Sequence, residues 1–191
     1  MTRTTPRSLA LAGVAGLTLS LLSALPAGAH GGAQATAMAG ALHPLLGLDH
    51  LLLLLGVGLS AARFGPQHLL IALGGGLVGS MLGSVGGQLP ATETLAALAV
   101  SGLGMALLIS LRRTSALPLL GPVLAAGMAI HGLLHGQESS GTPGWWLGAL
   151  LSSSVVVGAS LQAGRQLQPR LLQAAAAALV LLGGALSLAP L

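Results

Sequence analysis

Six apolar stretches, each long enough to cross a bilayer, follow one another between Thr36 and Leu188 with only short connections between them. A hydrocarbon core takes a helix of roughly 20 mostly apolar residues. The stretches run Thr36–Ala61, Leu69–Gly87, Thr92–Leu111, Leu117–His135, Trp145–Leu161 and Arg170–Leu188. Only helices and closed barrels satisfy their backbone polar groups in lipid, and these continuous runs lack the alternation of barrel strands. The expected fold is all-α, a polytopic transmembrane helix bundle of six spans. Charge agrees: 5% of the 191 residues are charged, against roughly a quarter in a soluble domain. The net charge of +4 comes from scattered arginines with no basic cluster to track phosphates. Membrane lipid, and not nucleic acid, is the expected partner. The absence of cysteine removes disulfide scaffolds, thiolate metal sites and cysteine nucleophiles.

Residues 1–29 read as a signal peptide. Arg3 and Arg7 precede the apolar run Leu9–Leu25, and Ala27-Gly28-Ala29 follows as a small-x-small cleavage site. Cleavage after Ala29 leaves a mature chain of residues 30–191, a single six-helix transmembrane domain with its N-terminus exported. Loops after the first, third and fifth spans then face the cytoplasm. Arg63, Arg112, Arg113, Arg165 and Arg170 all fall there, as the positive-inside rule requires. The expected location is the cytoplasmic (inner) membrane, with the N-terminus on the periplasmic side. Trp145 and Trp146 open the fifth span, where an interfacial aromatic anchor belongs.

The polar residues inside the spans carry the chemistry. Asp49 lies within the first span, between His43 and His50. An ionisable side chain near the bilayer centre costs about 2.5–3.5 kcal/mol, and such residues mark pathways or sites. On a straight helix His43 and His50 return to one face within roughly 20°, about 10 Å apart along the axis. Asp49 is then a neighbouring ligand or an orienting partner for the imidazole. In the fourth span His131, His135 and Glu138 stand at i, i+4 and i+7, sharing one stripe within about 60°. The two helices run in opposite directions. If they pack together, His50 and Asp49 face His131, while His43 faces His135 and Glu138. Glu93, at the outer start of the third span, and His30, at the mature N-terminus, are auxiliary groups at the mouth. A single membrane histidine also serves as a helix–helix hydrogen-bonding residue. Four histidines with two acids on two stripes point instead to a cation. Imidazole and carboxylate without sulfur suit Ni²⁺, Co²⁺ or Zn²⁺. Gly132 and Gly136, like Gly74, Gly75, Gly76, Gly79 and Gly83, read as helix-packing positions, and His68 as an interfacial residue.

These motifs resemble the HupE/UreJ family, membrane accessory proteins of hydrogenase and urease regarded as nickel permeases. His43, Pro44, Gly47, Asp49 and His50 match its His-Pro-x-x-Gly-x-Asp-His wording. His131, Gly132, His135, Gly136 and Glu138 match its Phe-His-Gly-x-Ala-His-Gly-x-Glu motif, from which Ile130 and Leu134 depart. Leu133 stands where relatives often carry a further histidine, and Pro90–Glu93 resembles the family's Pro-x-x-Glu start of the third span. The first motif is also similar to the His-x4-Asp-His of the wider nickel/cobalt permeases, with one residue more.

The resemblance implies uptake of a divalent ion, Ni²⁺ first, into the cytoplasm for maturation of hydrogenase or urease. The ion is cargo, there is no permanent cofactor, and a homo-oligomer is compatible with the reading. No nucleotide motif is present, so the expected protein is a secondary transporter and not an enzyme. An intramembrane zinc hydrolase and a metal-binding accessory protein without transport are the alternatives.

Overall fold

The computed structural model describes residues 36–137 and 142–188, and all regular structure among them is helical. The helices are α1 (Ala37–Leu46), α2 (Leu48–Phe64), α3 (Gln67–Ser84), α4 (Thr92–Arg112), α5 (Leu117–Gln137), α6 (Pro143–Gln166) and α7 (Pro169–Ser187), with a short 3-10 turn at Thr114–Ala116 before α5. The expected signal segment and His30 lie outside the described residues, as does Glu138. Local chemistry sets the helix starts. Thr36 caps α1 by accepting from the Ala39 amide, Thr142 caps α6 by accepting from Trp145, and Pro143 and Pro169 open α6 and α7, where a missing N–H costs nothing.

The span Thr36–Ala61, expected as one straight helix, is two helices bent by 79° at Gly47. Gly47 takes an extended backbone (φ −75°, ψ 110°). Its N–H closes α1 on the His43 carbonyl at 3.0 Å, and its own carbonyl opens α2 by accepting from Leu51 at 2.9 Å. Among the described residues four segments are long and apolar enough to cross a membrane: α4, Thr114–Gln137, α6 and α7; the bent α1–α2 pair is a fifth if it counts as one span. The helix of the second expected span, α3, is not among them. Its polar start at Gln67-His68 and its five glycines dilute its hydropathy.

Small residues bring the helices together, as expected where lipid supplies no hydrophobic drive between them. A Cβ on Gly79 would fall on the Ala129 carbonyl, and one on Gly132 on the Gly76 carbonyl, so α3 and α5 meet backbone to backbone. Gly40 and Gly148 do the same for α1 and α6. Ser101 Oγ donates to the Val180 carbonyl at 2.6 Å to tie α4 to α7, and Ser160 Oγ donates to Leu55 at 2.7 Å to tie α6 to α2. Leu53 and Val57 of α2, Val100, Leu103 and Leu107 of α4, and Leu120 and Leu124 of α5 fill the centre. Leu70, Met81, Val155 and Leu181 point outward at 70–72% exposure, an apolar exterior that suits lipid and would be a liability in water.

Candidate metal centre

Three helices deliver five ionisable side chains to one place: His43 from α1, Asp49 and His50 from α2, His131 and His135 from α5. The bend at Gly47 decides how they meet. His43 and His50 do not stand two turns apart on one face; their ring centroids are 4.9 Å apart, edge to face. A straight helix would have separated them, and the break folds α1 back so that its last turn faces the first turn of α2. Gly47 itself is hemmed in, since a Cβ there would lie 2.8 Å from His50 Nδ1.

His50 stands between both histidines of α5, not opposite His131 alone. His50 lies 4.9 Å from His131 and 4.7 Å from His135 between ring centroids, and His43 lies 4.7 Å from His135. Asp49 Oδ1 accepts from His50 Nδ1 at 2.9 Å, and Asp49 Oδ2 stands 3.2 Å from His131 Nε2. His131 Nδ1 donates to the Gly127 carbonyl at 3.1 Å. A carbonyl only accepts, so that bond puts a proton on Nδ1 and makes Nε2, the nitrogen turned toward Asp49, the one available to a metal. Asp49 acts on His50 in the same way and leaves its Nε2 lone pair toward His135. His50 Nε2 and His135 Nε2 are 2.8 Å apart. Two nitrogens at about 2.0–2.1 Å from one ion sit roughly 2.9 Å apart in a cis octahedral array and about 3.3 Å apart in a tetrahedral one. The pair needs to open by only a few tenths of an ångström to share a cation.

The four histidines border a cavity of about 380 Å³ whose other walls are mainly apolar, among them Leu53, Leu54, Leu77, Met128 and Leu150; Asp49 is not part of its wall. Trp145 and Trp146, expected as interfacial anchors, line this cavity as well. The Trp145 ring packs 5.4 Å from His43 and 5.8 Å from His135, and Trp146 lies 6.4 Å from His135. Ser153 also reaches the wall, while Ser152 and Ser154 donate back to their own helix, at the Ala149 and Leu150 carbonyls. Glu93 is exposed in the first turn of α4 and joins neither histidine group. His68, expected at an interface, is buried and bonds the Gly65 carbonyl at 3.2 Å. Leu133 is buried and is not part of the cavity wall.

A helical bundle with a lipid-compatible exterior and an imidazole–carboxylate cluster between its helices is a membrane-type protein. The family model described as HupE / UreJ protein matches residues 17–188, and the chain belongs to that family. It is 35% identical over 122 residues to Protein HupE of Rhizobium leguminosarum bv. viciae, a match that covers 60% of this chain and 63% of the relative. The match thus spans less than two thirds of the relative's length. No solved structure matches the chain.

Proposed function

We propose that this protein is a secondary permease that takes up a divalent transition metal, Ni²⁺ before Co²⁺ or Zn²⁺, for hydrogenase or urease maturation. The observation that carries the reading is the convergence of His43, His50, His131 and His135 from three helices on one cavity, with Asp49 held against His50 and His131. Membership of the HupE/UreJ family supports the accessory role. The donor set is nitrogen and oxygen without sulfur, which suits these ions and holds them less tightly than thiolates do. Conduction needs binding strong enough to admit the ion and weak enough to release it. A divalent ion moving inward gains about 4.6 kcal/mol per 100 mV of membrane potential, so this chain needs no nucleotide.

In this reading α3 completes a set of six spans, since 18 residues rise about 27 Å and its glycine face is seated on α5. Residues 1–29 are removed as a signal peptide, and His30, Glu93 and Glu138 stand at the periplasmic mouth. Arg63, Arg112 and Arg165, at the far ends of α2, α4 and α6, mark the cytoplasmic side of the inner membrane. The site lies near the opposite end, because Arg63 follows Asp49 by a helical rise of about 21 Å.

Proteoliposomes containing the purified chain, given ⁶³Ni²⁺ and an inside-negative potential, test the assignment. Potential-dependent accumulation that His50→Ala abolishes is the expected result. Binding without flux would leave a metal-holding accessory protein. Tightly held zinc with hydrolysis of a lipid or peptide would leave an enzyme.

A further inference from the structure

The donors do not form one cage. Two sets of three place all their ligand atoms within 4.8 Å of one another: His43, His50 and His135, and Asp49, His50 and His131. No set of four does so among the described residues. His50 belongs to both sets. We infer that the centre holds one divalent ion at a time in two alternative positions that share His50: an all-imidazole position with His43 and His135, and a carboxylate position with Asp49 and His131. This rests on the proposed handling of a divalent cation and adds how the ion passes through.

The chemistry of the two positions differs in a useful order. The first set has no formal charge, so a divalent ion there keeps its full charge and exchanges its remaining water readily. The second includes Asp49, whose carboxylate offsets part of that charge, and His131, only 4% exposed. The surroundings sort the sets too. Trp145 packs on both His43 and His135, on the side where α1 ends and α6 begins. The Gly127 carbonyl anchors His131 one turn further into α5. An ion transferred from the first set to the second keeps His50 among its ligands while it exchanges His43 and His135 for Asp49 and His131. At no stage is it released into the apolar part of the cavity. Three protein donors also leave coordination positions for water in either state, the open arrangement of sites that exchange their ligands rather than of closed structural sites.

The test is equilibrium binding of Ni²⁺ alone to the full chain in detergent micelles. Stoichiometry is combined with X-ray absorption, in which imidazole multiple scattering counts the histidines on the metal. Wild type is expected to bind one ion per chain. His131→Gln leaves the first position, with three imidazoles on the metal. His43→Gln leaves the second, with two imidazoles and an oxygen-rich remainder. His50→Gln loses at least tenfold more affinity than either. Two ions per chain in the wild type would overturn the inference. So would loss of all binding in both His43→Gln and His131→Gln, or the same imidazole count in the two. These outcomes are independent of transport: absent flux with the predicted histidine counts removes the permease and keeps the paired positions. Flux with a single histidine count does the reverse.

Discussion

His50 Nε2 and His135 Nε2 lie 2.8 Å apart across a sequence separation of 85 residues. The contact joins the first turn of α2 to the last turn of α5, and Asp49 holds the other side of the His50 ring. An imidazole fixed on one nitrogen by a carboxylate and presenting the other to a second imidazole is arranged as a metal-binding histidine is arranged.

Asp49→Asn is informative because it changes charge and donor pattern while keeping shape. The Asn oxygen still accepts from His50, but its NH₂ replaces Asp49 Oδ2, 3.2 Å from His131 Nε2, so an anionic oxygen donor is lost and a neutral N–H faces the nitrogen that a metal needs. Nickel affinity should fall about 10- to 100-fold, the range seen when a carboxylate orienting a ligand histidine is lost. Competition titration against a chromogenic chelator measures it, with membrane abundance unchanged.

Trp145→Ala removes the ring that packs on His43 and His135. Aromatic pairs of this kind contribute about 0.5–1.5 kcal/mol each, so nickel affinity should weaken about two- to tenfold, with Trp145→Phe restoring most of it. The chain has two tryptophans, and both border the cavity. Saturable quenching of intrinsic fluorescence by Ni²⁺ or Co²⁺ is therefore expected in the wild type, and its absence would contradict the location of the site.

Gly79→Ala and Gly74→Ala should move stability in opposite directions. A Cβ on Gly79 meets the Ala129 backbone, whereas one on Gly74 meets nothing within 4 Å. The first change forces α3 and α5 apart at a cost of about 1–3 kcal/mol. The second removes a flexible residue from an exposed helix face and gains about 0.5–1 kcal/mol. Thermal unfolding in detergent resolves the two signs.

Gly47→Ala isolates the junction. The backbone at 47 is one that alanine adopts freely, with φ −75°, so the penalty comes from the 2.8 Å approach of a Cβ to His50 Nδ1. Displacing that nitrogen breaks its bond to Asp49. Metal affinity should drop about tenfold, toward the effect of losing the orienting carboxylate, with helix content by circular dichroism unchanged.

Which side chains gather at the centre was legible in the sequence, because polar groups inside apolar spans have to face one another. How they meet was not: the bend at Gly47 brings the His43 and His50 rings to 4.9 Å and sets His50 Nε2 2.8 Å from His135 Nε2. That the glycines of α3 and α5 are packing positions was readable from their spacing; that these two helices pack on each other was not. The break at Gly47 was not readable. A lone glycine in an apolar run serves equally as a packing contact, and Pro44 three residues earlier suits a first turn as well as a bend. Trp145 escaped as well, because the start of a span is where a bilayer anchor and a cavity wall both place indoles.

Among the five converging side chains only His43 rides on α1, which leans on α6 through Gly40 and Gly148 and meets α2 at a single non-helical residue. A tilt of that short helix would withdraw one imidazole while Asp49, His50 and His131 kept their places on α2 and α5. The geometry thus assigns one donor and the remaining four to separately hinged pieces, with the leucine-filled interior belonging to the larger.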